Sequence, residues 1–151
     1  LQLNMTKTRV VDVRTENFNF LGFSFELRQS RKSGKVYPHV EPSKRSVQRL
    51  KDRIKALTDR RRCPVPLDQV VTELNTSLRG WVGYFHHRNS SNVFRHVRMQ
   101  VEERLRTHLR RRHKLPCRAA AYARFPSHSL YERYGLFKLP TIAGWKKAHA
   151  L

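Results

Sequence analysis

Near its start the chain carries apolar residues that alternate as in a β-strand and then lose step. In the stretch NFNFLGFSFEL (17–27), Phe18 and Phe20 are even-numbered, whereas Phe23, Phe25 and Leu27 are odd. Strand side chains alternate between faces, so the phase changes only through a bulge, a kink or a turn. The change falls at Leu21-Gly22, where a glycine permits it. Upstream, VVDV (10–13) also reads as extended, and downstream Ser33-Gly34 sits between two short potential strands as a hairpin turn would. After Pro42 the period becomes helical. Ser43 is the expected N-cap, and Val47, Leu50, Ile54 and Leu57 share a stripe until the basic TDRRR ends the run. The loop CPVP separates a second helix that starts near Pro66, with Asp68 in its first turn and a stripe of Leu67, Val70/Val71, Leu74, Leu78, Trp81/Val82 and Phe85. HHRNSSN makes the next break, with Asn89, Ser90 or Ser91 as cap for a third helix carrying Val93/Phe94, Val97, Val101, Leu105 and Leu109. The tail from Leu115 holds an alanine-rich piece (CRAAAYARF), then SLYERYGLFKLP and a basic GWKKAHAL. The pattern predicts a mainly α fold: a three-helix bundle over 42–114, a small N-terminal β unit (a hairpin) over 1–41, and a short helical or irregular tail over 115–151.

Charge changes this picture from a bundle to a bundle that seeks an anion. In 151 residues, 32 Lys and Arg face 11 Asp and Glu, for a net charge of +21. Such a field favours polyanions, nucleic acid first, with an anionic membrane or an acidic protein as the other choices. On a helical wheel, Lys44, Lys51 and Lys55 flank one side of the first apolar stripe, and Arg45, Arg49, Arg53 and Arg60 flank the other. Arg95, Arg106 and Arg110 lie opposite the stripe of the third helix, which ends in Arg110, Arg111 and Arg112. The candidate RNA-contacting residues are Lys44, Arg45, Arg49, Lys51, Lys55, Arg79, Arg88, Arg95, Arg106, Arg110, Arg111 and Arg112. Gly80 and Gly83, three apart, share a helix face where another backbone can approach. Trp81 and Phe85 read as core, while Tyr84, Tyr131 and Tyr134 divide between packing and base stacking.

Catalytic chemistry finds little to work with. Adjacent Glu102 and Glu103 point about 100° apart on a helix and make no two-metal centre. The cluster His86-His87-Arg88-Asn89 has no acidic partner nearby in sequence, and neither a triad nor a glycine-rich phosphate loop is present. No catalytic and no metal-binding residues are nominated. Cys63 and Cys117 give no disulfide framework. No stretch reaches the roughly 20 apolar residues of a membrane span, and no signal-peptide core opens the chain, so the expected location is intracellular, without a membrane partner.

Four motifs, NFNFLGFSFEL, PSKRSVQRLKDRI, LNTSLRGWVGYF and SLYERYGLFKL, occur in the order found on the C-terminal side of group II intron-encoded proteins, reverse transcriptases with maturase activity. The chain resembles that region over nearly its whole length, and LN followed by RGWxGYF is the most specific part. The resemblance implies that 1–41 is the end of a polymerase palm, with Phe20, Leu21, Gly22 and Phe23 in the position of the primer grip. It implies that 42–114 is the thumb, or maturase-specific domain X, and that 115–151 extends it. Gly80, Trp81, Gly83, Tyr84, Tyr131, Tyr134 and Gly135 fall in the maturase motifs. The implied partners are group II intron RNA, a template-primer duplex, and an N-terminal reverse transcriptase domain if the chain is a fragment. The implied location is the bacterial cytoplasm. The palm's Tyr-X-Asp-Asp motif is missing, so no polymerase activity and no cofactor are expected of this chain. Magnesium belongs to the polymerase domain and to the intron RNA. Two rivals remain at this level: a general basic nucleic-acid-binding or ribosome-associated protein, and a stand-alone nuclease built on His86, His87 and Asn89.

Overall fold

The computed structural model of the protein describes residues 10–142. The basic GWKKAHAL ending and most of the palm-like LQLNMTKTRVV lie outside the described residues. Three antiparallel strands, β1 (Phe18–Phe20), β2 (Phe23–Gln29) and β3 (Val36–Pro42), form a meander in the order β1-β2-β3. Five helices follow: α1 (Lys44–Leu57), α2 (Leu67–Phe85), α3 (Ser91–Arg112), α4 (Arg118–Arg124) and α5 (Ser127–Glu132). The mainly α class with an N-terminal hairpin is therefore the observed one. The stretch VVDV differs from expectation: Asp12 accepts from the backbone of Thr15 and Glu16, which makes a turn rather than a strand.

The phase slip is a two-residue hairpin turn. Phe18 faces Phe25 and Phe20 faces Phe23 across β1 and β2, and both residues between them have positive φ, 48° at Leu21 and 83° at Gly22. That is the turn geometry whose twist suits a tight hairpin. It restores one apolar face, where Phe18 stacks on Phe25 at 4.8 Å and Val40 pairs across from Phe25. The other face carries Glu26, Arg28, His39 and Glu41. The second hairpin closes near Gly34, whose N–H donates to Ser30 O.

Gly22 fastens the sheet to the bundle. Its carbonyl accepts from Ser43 N (2.8 Å) and Ser46 Oγ (2.9 Å) at the start of α1, while Phe23 meets the Phe85 ring edge-on at 4.9 Å. A Cβ on Gly22 would stand 3.0 Å from Ser46 Oγ and 3.2 Å from Phe85 Cζ, in a backbone region that L-residues avoid. Gly22→Ala is expected to destabilise the protein by about 2 kcal/mol in urea denaturation. A loss below about 0.5 kcal/mol would show that the turn is not under this constraint.

The helices begin and end where the sequence places the signals. Ser43 caps α1, accepting from Ser46 N, and Thr58 closes it by donating from its N–H and hydroxyl to Ile54 O. Ser90 is the residue before α3, but its hydroxyl donates to His87 O and caps nothing. Leu50, Ile54, Leu57, Val70, Leu74, Leu78, Phe94, Val97, Val101, Leu105 and Leu109 form one core. Ala121, Phe125, Leu130, Leu136 and Leu139 from the tail belong to the same cluster, so the tail is part of the bundle rather than an appendage. Its two helices have 7 and 6 residues, too short to stand alone, and are held by burial of Phe125 and Leu130.

His108 is fully buried on α3, its Nδ1 3.4 Å from Thr58 O. Burial pushes its pKa below the usual histidine value, against the hydrogen bond to Thr58 and with the push of Arg112, Arg111 and Arg62. The unfolded chain therefore binds this proton more readily than the folded one. The stabilisation is complete above about pH 6.5 and is lost as pH falls through the lowered folded value. Stability is expected to decline from about pH 7 to about pH 5, with a smaller decline in His108→Leu, as read by denaturant titration at each pH. An equal decline in the variant would assign the effect to another group, such as His113, whose pKa is also lowered by burial and by Arg124.

Candidate nucleic-acid interface

Acidic side chains come first, because they decide how much positive charge is left over. Glu73 takes both arms of Arg62 (2.7 and 2.8 Å), and this pairing holds its carboxyl below the usual range despite the opposing cost of burial. Burial pushes Glu103 up, but the Tyr122 hydroxyl, Arg118 and Arg106 outweigh it and leave its carboxyl low and charged. Glu102 accepts from Tyr131 and Ser127. Asp59 accepts from Arg61 N and caps the turn over 60–62. Glu26 and Glu41 share Arg28, and Glu41 lies 3.0 Å from His39 Nε2. Glu26, His39 and Glu41 bring ligand atoms within 4.8 Å of one another, the one such grouping among the described residues, but the Arg28 guanidinium already supplies its cation.

Several arginines are spent inside as well. Arg106, expected on an RNA-facing arc, is 4% exposed: its Nε donates to Phe125 O (2.9 Å), its Nη atoms to Glu103 (3.2 Å) and Ser127 (3.1 Å), and its guanidinium lies 4.0 Å from the Tyr122 ring centroid. Arg112 donates to Cys63 O and Val65 O and ties the CPVP loop to α3. Arg104 reaches Thr58 Oγ1 and Lys55 O. Arg106 and Arg112 are thus fold residues, because each neutral carbonyl they satisfy would otherwise be stranded. Arg79 sits over the Phe137 ring at 5.5 Å, and Arg88 occupies a left-handed position (φ 61°) in the loop before α3. Arg95 lies by Pro140 at the N-terminal end of α3, and Arg110 shares a small cleft with Arg106 and Arg118.

Outward cations remain at Arg31, Lys32 and Lys35, at Arg60 and Arg61, at Arg111 and Lys114, and on α1. The two basic flanks of α1, separated on the wheel, open onto two different grooves. On one side Arg49 and Arg53 line a groove of about 540 Å³ with the Leu21-Gly22 turn and with Ser77, Trp81, Tyr84 and Phe85 of α2. On the other, Lys51 and Lys55 line a groove of about 570 Å³ against α3 and α4, which continues past Gln48 and Lys51 to Lys44 and His96. Lys44, Arg45, Arg49, Arg53 and Lys55 are exposed and make no hydrogen bond or ion pair among the described residues except the carbonyl of Lys55. Arg53 and Arg118 line these grooves without belonging to the set expected from the sequence. Arg53 was visible on the wheel, whereas Arg118 sits in the tail and reaches the lysine groove only through the fold.

The aromatic candidates divide. Tyr84 is 51% exposed and donates to Leu21 O (2.9 Å), and Trp81 packs on Phe85 and Phe94 at the groove floor. Burial and the hydrogen bond that Tyr131 donates to Glu102 raise its pKa, and Tyr134 packs on Phe125, so both are engaged in the fold. Among the described residues, nothing beyond the local helix backbone lies within 4 Å of a Cβ built on Gly80 or Gly83, so their face of α2 is open. Gly80→Ala and Gly83→Ala are each expected to raise stability by about 0.5–1 kcal/mol, as a higher thermal midpoint. A lowered midpoint would mean that a neighbour fills this face.

The motifs are joined by contacts. Asn75 of the LN pair donates to Gly135 O (2.8 Å) and accepts from Phe137 N (2.7 Å), clasping the YGLF turn, where Gly135 has a φ of 67°. Tyr84 and Phe85 of GYF hold the LGF turn. Asn89 accepts from Val40 N (3.2 Å) through its side chain and donates to Val40 O (2.9 Å) from its backbone, which fastens β3 to the loop before α3. No curated protein matches the chain. The family profile described as group II intron, maturase-specific domain matches residues 47–125, which run from α1 through both grooves to Phe125. Over half its length, and in the part that carries the basic surface, the chain belongs to the group II intron maturase-specific domain family.

Proposed function

We propose that this maturase-specific domain works by binding folded intron RNA across α1, with phosphates on both of its basic flanks. The observation that carries the reading is the division of labour among charges: acids and four arginines close the fold, while α1 keeps Lys44, Arg45, Arg49, Arg53 and Lys55 exposed between two grooves. A-form duplex hides its major groove, so Lys and Arg read shape and phosphate spacing rather than sequence. Binding the active RNA fold more tightly than misfolded forms shifts the RNA population toward splicing, and the RNA supplies the chemistry. In a longer protein the same surface would clamp a template-primer duplex, and the exposed Phe20 end of the sheet would meet the polymerase palm.

The test is a titration of a group II intron RNA against an unrelated structured RNA of equal length at matched salt. Tighter binding of the intron RNA supports the reading. Equal affinities would favour a general basic nucleic-acid-binding or ribosome-associated protein.

A further inference from the structure

We propose that the groove between the Leu21-Gly22 turn, α1 and α2 is a receptor for one unpaired nucleotide of a bound RNA. The base would stack on the aromatic shelf of α2 and the flanking phosphates would sit on the arginines of α1. This subsite rests on the RNA-binding reading and goes beyond it, because a basic surface alone predicts no preference for an unpaired base.

The two walls differ in the way a nucleotide differs at its two ends. Arg49 and Arg53 stand four residues apart on one face of α1, and neither makes a hydrogen bond or close ion pair among the described residues, although the charge of Arg53 reaches Glu73. Opposite them, Trp81 is backed by Phe85 at 4.9 Å and Phe94 at 5.7 Å, and Tyr84 is steadied by Phe23 at 5.8 Å and by its hydrogen bond to Leu21 O. The shelf is therefore preformed. Its indole Nε1 is buried without an acceptor among the described residues, so ring packing alone holds Trp81 in place. About 540 Å³ lies within the roughly 300–1,000 Å³ of ligand clefts. Bases inside a duplex are already stacked and face inward, so a splayed, unpaired base is the form of RNA that can enter an aromatic slot.

Leu21 gives a second, independent indication. It is 67% exposed and held at φ 48°, a conformation that asparagine or glycine adopts at far lower cost in such a turn. A strained, solvent-facing leucine at the mouth of the groove supplies an apolar edge for one side of a base. The lysine groove across α1 lacks this equipment. Its tyrosine, Tyr122, is covered by Arg106 at 4.0 Å and its hydroxyl is bound to Glu103. Bases belong on the arginine side and paired backbone on the lysine side.

The experiment uses the full chain with Trp145→Phe, which leaves Trp81 as the remaining tryptophan of two. It is titrated with an RNA hairpin carrying one extrahelical purine and with the same hairpin fully paired. Expected are quenching of Trp81 emission by the bulged hairpin alone and about tenfold tighter binding of it. Leu21→Gly, which relieves the turn, is expected to keep the circular dichroism and the paired-hairpin affinity while bringing the two affinities together. Equal affinities with unchanged Trp81 emission overturn the receptor and leave RNA binding standing. Failure to bind either hairpin overturns both.

Discussion

Arg106→Ala is expected to cost about 3–5 kcal/mol in urea denaturation, the largest stability effect of any single basic residue in the chain. The side chain is buried, and its five donors are distributed over a neutral carbonyl (Phe125 O), a hydroxyl (Ser127) and a carboxylate (Glu103). Truncation strands the Phe125 carbonyl and takes one partner each from Ser127, which keeps Glu102, and Glu103, which keeps Tyr122 and Arg118. Phe125 O and Ser127 belong to the end of α4 and the start of α5, so the loss also releases the segment that brings Phe125 and Leu130 into the core. With total stabilities of about 5–15 kcal/mol, such a loss leaves the domain barely folded. Arg106→Lys keeps a charge beside Glu103 but not the planar fork, and is expected to recover less than half of the loss. A cost below about 1 kcal/mol for Arg106→Ala would show that the network is surface decoration. Charge reversal at Arg106 is consequently no probe of RNA binding, since lost affinity would report unfolding.

Arg106 also marks where reading the sequence stops. Arg106 and Arg110 are four apart on one polar arc of α3, and nothing local separates them. The difference comes from α4 and α5, which fold back over Arg106 and leave Arg110 at a cleft edge. An arginine satisfying a carbonyl and one awaiting a phosphate have the same composition, charge and helical phase. The helices themselves were legible because burial imposes a period: Leu50, Ile54 and Leu57 or Val97, Val101 and Leu105 repeat at helical spacing, and Ser43 announces the start of α1. The tail was legible only as a short helical or irregular stretch, because helices of 7 and 6 residues are too short to show a period. The slip at Leu21-Gly22 was visible as a loss of phase, but a turn with leucine at positive φ runs against local preference and is held from outside by Ser43, Ser46 and Tyr84. Likewise the two flanks of α1 could be separated on a wheel, while the separate grooves they face depend on α2 and α3.

Those grooves make the second large prediction. Reversing the lysine flank, with Lys44→Glu, Lys51→Glu and Lys55→Glu together, is expected to weaken RNA binding on the order of a hundredfold at physiological salt. Circular dichroism and the thermal midpoint should change little, because these three side chains make no hydrogen bond or ion pair among the described residues. The reversal turns attraction into repulsion along a helix about 20 Å long, whose 14 residues present the lysines over nearly its whole length. A charge-neutral triple, with alanine at the same positions, separates counterion release from repulsion. Each phosphate contact removed should lower the slope of log affinity against log salt by about 0.9 on a duplex, so the triple alanine should lose between about 2 and 3. The same substitutions should leave the preference for a bulged over a paired hairpin intact, since that preference is placed on the arginine side of α1. If the triple glutamate binds RNA as the unaltered protein does while remaining folded, the α1–α3 groove is not the duplex surface.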